Sequence, residues 1–347
     1  MDVLHVVLEM SGTTIPVEIG SALADLDGVT ARVVSERPLP DTLPDTIDEV
    51  QVLDEYCDFD DYRNLLSAVA DEFDVVHTHH VGPAARVGFH AVSHPIVHFN
   101  TQHGHLHYTR NEKLKNVPGL LLADSIVYNS RATANSYNTL ERLCKARADE
   151  RVVHNGIDMA ALEPYRASVD EPTTVVTATR LIPRKNLETL IRAFQQLDGL
   201  SLTIVGDGPH RNELRRTARD AGVESQVTFE GYLPDREGVY EVLAAADVFA
   251  LPSHGEGFCV AVAEAMAVGL PVVVSDIGVF HEVVGEDGVY VDRTSHAAIA
   301  AALDDLRQDP DRAALLGDRN RERARNQFTL ERCARGYRDA YRDVLAH

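Results

Sequence analysis

The sequence predicts an α/β protein with two doubly wound parallel-sheet domains. Three observations support this prediction: short apolar runs alternate with helix-like stretches, the alternation occurs twice along the 347 residues, and a segment without periodicity separates the two series. The apolar runs are rich in β-branched residues and nearly continuous, as is typical of strands covered on both faces. The chain is also long enough for two domains of ordinary size.

The first series of apolar runs predicts five strands with helices between them. These strands are Val3–Leu8, Val29–Ser35, Val75–His79, Ile96–Thr101 and Ser125–Asn129. Mixed polar and apolar residues predict helices over Tyr62–Phe73 and Arg131–Cys144. A strong turn signal at Asn155–Asp158 and the aperiodic, Pro- and acid-containing stretch 163–172 then predict a linker. We therefore predict a first domain of residues 1–160.

The second series predicts a second domain of residues 172–329. Its strands are Thr174–Ala178, Leu202–Val205, Val227–Phe229, Val248–Leu251, Val272–Ser275 and Val289–Val291. Its helices are Leu187–Leu197, Arg211–Ala221, Arg236–Ala246, Cys259–Val268 and His296–Leu306. The Arg-rich tail, residues 330–347, predicts a long terminal helix. Two such domains would form a cleft between them, which is a common ligand site.

Several classes of protein are disfavoured by the composition. No apolar run reaches the ~18 residues of a membrane-spanning helix. The N-terminus, MDVLHVVLEM, has no basic segment and is predicted to be a first strand rather than a signal peptide. The four cysteines are scattered without a Cys-x-x-Cys pair, which predicts reduced thiols, a cytoplasmic location and no zinc module.

The net charge of −21 disfavours a nucleic-acid partner, because phosphate binding needs a basic surface. Only 4 of the 33 basic residues are Lys, so 29 are Arg. Abundant acidic residues with very few lysines lead to the hypothesis of a halophilic source. An ordinary acidic protein from a GC-rich genome is the alternative, and the sequence leaves both open.

Two loops of the second domain carry candidate phosphate-binding residues. Arg180 and Lys185 follow the first strand of that domain and precede a helix, where fixed cations and helix N–H groups suit a diphosphate. Solvated loop charges are the alternative. The loop at Gly206 contains a Gly-x-Gly, but Arg211 stands where a dinucleotide fingerprint needs its third glycine. A tight turn is therefore the better interpretation, and the loop at Leu233 is a weaker candidate for holding a base.

The segment 253–274 carries two carboxylates with seven residues between them, in an apolar, glycine-bracketed run. Glu256 follows a strand and Glu264 lies on the next helix, at the sheet edge where ligands bind in open α/β folds. The first N–H groups of that helix, at Phe258, Cys259 and Val260, could bind an anion, and the carboxylates could bind sugar hydroxyls. The alternatives are a solvated loop carboxylate for Glu256 and a surface helix residue for Glu264.

These segments together resemble the family 4 retaining glycosyltransferases, which are two-domain enzymes of the GT-B fold. The matching segments, in order, are Arg180…Lys185, Val205–Pro209, Gly231–Pro234, Ala246–Phe249, Glu256–Glu264 and Gly269–Val273. The resemblance covers the second domain closely and extends loosely into the first. It implies an acceptor-side first domain, a donor-binding second domain and a terminal helix that crosses back to the first.

The resemblance also implies roles for individual residues. Arg180 and Lys185 would bind the donor diphosphate, Glu256 the transferred sugar and Glu264 the ribose. His103 matches the active-site histidine of the family. The remaining donor-binding candidates by resemblance are Gly12, Gly206, Leu233, Phe258, Cys259 and Val260. The loop holding Gly12 has a single glycine where the family usually has more, so its phosphate contacts are open.

The implied reaction is transfer with retention from a nucleotide-diphosphate sugar to an acceptor hydroxyl, without a metal or another cofactor. His103, His105 and His107 alternate as metal ligands can, but the family generally works without a bound metal. A sugar-nucleotide 2-epimerase of the same fold and a non-catalytic nucleotide-sugar-binding subunit are the alternative functions. The acceptor class is a glycan, a glycolipid or a lipid-linked molecule.

The basic stretch of the first domain leads to the hypothesis of a peripheral membrane contact with an anionic acceptor. Ordinary helix charges are the equal alternative. The stretch consists of Arg110, Lys113, Lys115, Arg131, Arg142, Lys145 and Arg147.

Overall fold

The computed structural model describes residues 1–7, 15–35, 50–52, 64, 72–79, 81–92, 96–104, 110–168 and 172–346. Its internal contacts divide the chain into two compact units. The first unit contains Met1–Gly156 and Leu330–His347, and the second contains Ile157–Thr329. The chain thus passes between the units at Gly156, ahead of the predicted linker at 163–172. Glu163 and Tyr165 belong to the second unit, where Arg325 donates hydrogen bonds to the Glu163 carboxylate.

The first unit contains a parallel sheet of seven strands in the described residues. The strands are β1 (Asp2–Val7), β2 (Thr30–Ser35), β3 (Val50–Val52), β4 (Val75–Thr78), β5 (Val97–Gln102), β6 (Ser125–Tyr128) and β7 (Asp149–Val152). Their spatial order is β3-β2-β1-β4-β5-β6-β7. The order therefore reverses between β1 and β4, and this reversal is where a doubly wound sheet opens a crevice at its carboxyl edge.

Within the described residues, five helices of the first unit precede the passage of the chain into the second unit. They are α1 (Ile15–Ala24), α2 (Val81–Ala91), α3 (Arg110–Leu122), α4 (Arg131–Asn135) and α5 (Thr139–Cys144). The single helix predicted over residues 131–144 is wrong, because Asn138 caps α5 in a reciprocal hydrogen-bonded box with Glu141. The helix predicted over 62–73 lies almost entirely outside the described residues.

The described residues of the second unit contain a parallel sheet of six strands. They are β8 (Thr174–Ala178), β9 (Ser201–Val205), β10 (Val227–Gly231), β11 (Val248–Leu251), β12 (Val272–Ser275) and β13 (Val289–Val291). The order β10-β9-β8-β11-β12-β13 reverses between β8 and β11. All six strands predicted for this unit are present, because each is a nearly continuous apolar run.

The helices of the second unit flank this sheet. They are α6 (Met159–Leu162), α7 (Leu187–Ala193), α8 (Arg211–Asp220), α9 (Arg236–Ala244), α10 (Val260–Val268), α11 (Gly278–Val283), α12 (His296–Gln308) and α13 (Pro310–Gln327). Helix α10 is buried along nearly its whole length, which explains its lack of an amphipathic pattern. Helix α13 packs on α10, and its Arg321 donates to the Ala267 carbonyl at 2.6 Å.

The chain then returns to the first unit as helix α14 (Leu330–Leu345). Its apolar face supplies Tyr337 and Tyr341 to a core cluster that also contains Val3 and Phe99. The Tyr341 ring meets the Phe99 ring edge-on, with centroids 4.8 Å apart. No helix in the described part of the chain is long and apolar enough to cross a membrane.

Candidate functional site

Two loops meet at the strand-order reversal of the second unit. One follows β8 and carries Lys185, and the other follows β11 and carries Glu256. The two strands are neighbours in the sheet, with Val248 paired to Val175. The loops are also tied directly, because the His254 backbone N–H donates to the Arg184 carbonyl at 2.8 Å. A ligand crevice at this position is the general rule for open α/β sheets.

A buried ion pair joins these loops. The Lys185 ammonium donates to Glu256 Oε1 at 2.8 Å, and the Ser253 hydroxyl donates to the same oxygen at 2.5 Å. Only 11% of the Lys185 side chain and 6% of the Glu256 side chain are exposed. The interpretation of Glu256 as a solvated loop carboxylate is therefore wrong. The Lys185–Glu256 pair is thus a polar group held in a fixed orientation at the carboxyl edge of the sheet.

Asn186 fixes the loop that carries Lys185, and the sequence did not single it out. Its backbone is left-handed, with φ of 55°. Its side-chain amide donates to the Pro252 carbonyl at 3.0 Å and to the Arg293 carbonyl at 2.7 Å, while its oxygen accepts from Thr189. An Asn can adopt this backbone geometry while bridging two other loops. The signal for it was only an Asn directly before a helical pattern.

Arg180 lies two residues beyond β8 in the same loop and is exposed. Its carbonyl accepts from the Ile182 N–H at 3.0 Å. The structure therefore brings Lys185 and Glu256 into contact and leaves the Arg180 side chain in solvent. Its assignment to a diphosphate remains a prediction.

Glu264 lies on α10 and is paired with a residue that the sequence did not suggest. Its carboxylate is 2.8 Å from the Arg236 guanidinium, and only 5% of its side chain is exposed. The interpretation of Glu264 as a surface helix residue is wrong. Arg236 is the first residue of α9, a helix that sequence periodicity predicts correctly. The start of this helix therefore places a cation beside Glu264.

Helix α10 begins at Val260, with Cys259 as its N-cap. Cys259 has φ of 74°, a left-handed conformation that favours glycine, and its side chain does not cap the helix. Burial and the nearby Glu256 carboxylate raise the pKa of the Cys259 thiol to about 12. The Phe258 ring is buried against Phe328, with centroids 5.2 Å apart, so only its backbone could contact a ligand.

Gly206 allows the loop after β9 to pack closely against the loop after β8. Its φ is 120°, and a Cβ at this position would lie 2.0 Å from the Thr179 carbonyl oxygen. A Cβ on Gly208 would lie 2.3 Å from the Leu181 carbonyl oxygen. These distances support a tight turn in which the loop after β9 lies against the loop after β8. Leu233, in the loop after β10, is partly exposed.

The first unit contains a row of histidines at the corresponding edge. His103 follows β5 and is half-buried, and its Nε2 is 3.2 Å from His79 Nδ1. His79 Nε2 is in turn 2.8 Å from His5 Nδ1. The Asn129 amide donates to the His103 carbonyl at 2.9 Å and so holds its backbone. His5 was missed because a histidine inside an apolar strand run carries no distinctive sequence signal.

His77 lies beside this row but bonds elsewhere. Its Nδ1 is 2.6 Å from the Tyr341 hydroxyl, and its Nε2 is 2.6 Å from the Thr101 hydroxyl. His5, His77 and His79 each have a ring nitrogen within 4.8 Å of the others, so the three could together hold a metal ion. Gly12, His105 and His107 lie outside the described residues.

Two family profiles match the chain side by side. The profile described as "Glycosyltransferase Family 4" matches residues 18–161, and the one described as "Glycosyl transferases group 1" matches residues 162–323. The chain belongs to the family 4 glycosyltransferases.

Curated family 4 relatives match mainly over part of their length. A GDP-mannose-dependent alpha-(1-6)-phosphatidylinositol monomannoside mannosyltransferase of Mycobacterium tuberculosis is 38% identical over 170 residues, covering 45% of this chain and 44% of the relative. The protein of the same name in Mycolicibacterium smegmatis is 35% identical over 215 residues, covering 56% of each. The chain thus spans about half the length of these relatives.

Solved glycosyltransferases share the fold over the whole chain. Anabaena HepE, solved in complex with UDP, superposes with a TM-score of 0.84 at 19% identity and covers 99% of this chain and 100% of that one. At this identity the likeness shows the fold alone. The predicted GT-B fold class is confirmed.

One member of the predicted basic stretch does not face solvent. Lys145 is buried, and its ammonium contacts the Glu150 carboxylate and the Tyr128 hydroxyl and lies over the Tyr137 ring. Its inclusion in a surface for an anionic acceptor is therefore wrong. Lys115 is exposed, and the side chains of Arg110 and Lys113 lie outside the described set.

Proposed function

We propose that the chain transfers a hexosyl residue from a nucleotide-diphosphate sugar to an acceptor hydroxyl, with retention at the anomeric carbon. The observation that carries this proposal is the buried Lys185–Glu256 pair at the strand-order reversal of the second unit. A donor diphosphate beside Lys185 would compete for the ammonium and free Glu256 to accept hydrogen bonds from sugar hydroxyls. The transferase names of the relatives favour this reaction over the epimerase and the non-catalytic subunit.

The proposed chemistry needs positive charge where the leaving phosphate forms. Lys185, the exposed Arg180 and the N-terminus of α10 supply that charge. In many enzymes, preorganised charge of this kind contributes more to the rate enhancement than any other single effect. The leaving phosphate itself accepts the acceptor proton, so no protein nucleophile is required. In this scheme Glu264 binds the ribose, and Arg236 orients the Glu264 carboxylate.

We assign His103 to the transferred sugar on the family resemblance. We also propose that the reaction proceeds without a bound metal, because the cationic side chains and the helix N-terminus supply the charge. Full donor turnover after dialysis against EDTA is the expected result. Loss of turnover that Mg²⁺ or Mn²⁺ restores would contradict the metal-independent scheme.

For the acceptor, we propose a glycolipid or another lipid-linked hydroxyl. The named relatives act on a phosphatidylinositol mannoside, and the first unit exposes 72% of Leu114 and 49% of Leu121 on α3, beside Lys115. Apolar side chains next to a cation suit the surface of an anionic bilayer. Co-sedimentation with phosphatidylinositol-containing vesicles is expected for the full chain. Leu114→Ser with Leu121→Ser should reduce it, and equal binding of both proteins would contradict the proposal.

A donor screen tests the function directly. The purified chain is heated with GDP-mannose, UDP-glucose, UDP-N-acetylglucosamine or ADP-glucose, and a true donor should raise the midpoint of unfolding. Incubation with that donor and a glycolipid acceptor should then give a product whose NMR coupling shows retained anomeric configuration. Epimerised donor in the absence of acceptor would indicate the isomerase instead. Binding without turnover would indicate the non-catalytic subunit.

A further inference from the structure

Strand pairing between β5 and β6 stops one residue before His103. The last paired residues of the two strands are Gln102 and Tyr128. His103 and Asn129 come next, and here a side chain replaces the backbone donor, because the Asn129 amide donates to the His103 carbonyl at 2.9 Å. Asn129 is buried, so solvent does not compete for this carbonyl. The hydrogen bonding of the sheet is thus extended by one step, to His103, through the Asn129 side chain.

The Asn129 amide is held in turn by the first turn of α4. Its oxygen accepts from the Thr133 hydroxyl at 3.0 Å, and the oxygen of that hydroxyl accepts from Ser130 at 3.1 Å. Ser130 caps α4 by accepting from the Thr133 backbone N–H at 3.0 Å. Asn129, Ser130 and Thr133 are all buried. Four hydrogen bonds therefore link the cap of this helix to the backbone of His103.

The direction of each bond in this network follows from the His103 carbonyl. A carbonyl oxygen can only accept, so the Asn129 amide must turn its N–H group to His103 and its oxygen to Thr133. The single hydroxyl proton of Thr133 is then used on that oxygen, so Ser130 must donate to Thr133. Every member has one role, and a buried polar network that is fully satisfied in this way makes its surroundings rigid.

A second buried pair holds the strand residue directly before His103. Gln102 and Asn116, which lies on α3, exchange two amide hydrogen bonds at 3.0 and 3.4 Å. Both side chains are buried. The chain at the end of β5 is therefore tied to α3 at Gln102 and to the cap of α4 at His103.

We propose that Asn129 and Thr133 are positioning residues that fix the place of His103 for the transfer reaction. The inference rests on the proposed function, in which His103 contacts the transferred sugar. Neither residue needs to touch the substrate, because both act through the His103 backbone. A displacement of about 1 Å at an active site can cost about 10²-fold in rate, so a network that holds this residue contributes to kcat.

The bond from Asn129 to the His103 carbonyl is measured by NMR of the full chain. Only two histidines precede a glycine in the sequence, in His103–Gly104 and His254–Gly255. Labelling histidine carbonyls with ¹³C and glycine amides with ¹⁵N therefore gives two correlation signals, and His254→Gln identifies them by removing one. Loss of the hydrogen bond should move the His103 carbonyl resonance to lower frequency, while the His254 signal serves as an internal reference.

Three variants test the links of the network. Thr133→Val keeps the side-chain shape but removes the hydroxyl that orients the Asn129 amide. It should move the His103 signal and lower kcat roughly fivefold to tenfold, the worth of one hydrogen bond, with the donor KM unchanged. Thr133→Ser keeps the hydroxyl and should behave as the wild type in both measurements. Asn129→Asp places an oxygen where the carbonyl needs a donor, so its effects should be larger than those of Thr133→Val.

The matched control is Ser136→Ala. Ser136 ends α4 and donates from its hydroxyl to the Thr133 carbonyl at 2.6 Å, outside the network. This variant should lower the free energy of unfolding much as Thr133→Val does, yet leave the His103 signal and kcat as in the wild type. A fall in kcat equal to that of Thr133→Val would show that α4 matters only for stability and would overturn the proposal.

A His103 signal that neither Asn129→Asp nor Thr133→Val moves would also overturn the proposal, as would a moved signal with kcat unchanged. If Asn129→Asp does not fold, the two Thr133 variants decide the question alone. Failure of the proposed function is recognised separately. A wild-type chain that turns over no donor contradicts that function, while the NMR signal still shows whether Asn129 holds the His103 carbonyl.

Discussion

At the scale of single residues, the Lys185–Glu256 pair combines structure and chemistry. Two charges with little exposure stabilise a fold only while both are present, because either alone keeps the cost of desolvation. Because each buried charge needs a partner, a charged ligand that reaches the pair can take the place of one of its members. A diphosphate can replace Glu256 as the partner of Lys185, whereas water reaches the two groups poorly.

Removing Lys185 tests this view. Lys185→Met should lower the free energy of unfolding by about 3–5 kcal/mol, because Glu256 remains buried without its cation, and it should abolish transfer. Lys185→Met combined with Glu256→Gln should recover much of the stability and none of the transfer. Urea unfolding and donor turnover give the two quantities. A double variant as unstable as the single one would show that the pair does not act as a unit.

Cys259 stores strain at the start of α10. Cys259→Gly should relieve the left-handed backbone at φ of 74° and raise the free energy of unfolding by up to about 1 kcal/mol. Asn186→Gly is the matched control, because Asn186 is also left-handed at φ of 55° but makes three side-chain hydrogen bonds. That variant should be less stable than the wild type. If both variants were more stable than the wild type, backbone strain at Asn186 would outweigh its side-chain hydrogen bonds, contrary to this expectation.

At the scale of elements, the loops after β8 and β9 touch through backbone atoms. Gly206→Ala should destabilise the chain by about 3 kcal/mol or more, since its Cβ would lie 2.0 Å from a carbonyl oxygen. Gly222→Ala is the control, with a φ of 71° and no atom within 4 Å of its Cβ. It should cost only the backbone strain of about 1–2 kcal/mol. Equal losses in urea unfolding would refute the close-packing role of Gly206.

The histidines buried on β1, β4 and β5 make the fold sensitive to acid. Burial lowers the pKa of His5 to about 3 and of His98 to about 4, so the unfolded chain binds more protons than the folded chain below pH 6.5. Stability is therefore complete above pH 6.5 and falls as the pH drops toward these values. Each such histidine should contribute about 1.4 kcal/mol per pH unit.

Unfolding in urea between pH 7 and pH 4.5 measures this slope. His98→Phe should reduce this slope by the contribution of one proton, because the variant lacks one histidine that stays neutral in the folded state. A variant slope identical to that of the wild type would contradict the argument.

At the scale of the whole molecule, the sequence predicted what depends on local pattern. The apolar runs behind β8 to β13 have the period and length of buried strands, so the second sheet and its carboxyl edge could be predicted, and five strands of the first sheet could be predicted in the same way. The edge strand β7 could not, because its residues DERV are polar and mostly exposed. Partners such as Arg236 for Glu264 and His5 for His79 come from distant segments, and only the folded topology sets which side chains face each other.

The net charge of the whole molecule should make its stability depend on salt concentration. With 54 acidic and 33 basic residues, the folded chain repels itself at low ionic strength more than the expanded chain does. Salt at about 1 M reduces the Debye length to about 3 Å and screens this repulsion. The urea midpoint should therefore rise between about 0.1 M and 2 M KCl, as expected of a halophilic protein. A midpoint that is already maximal at 0.1 M would instead identify an ordinary acidic protein, because screening would then have no repulsion left to remove.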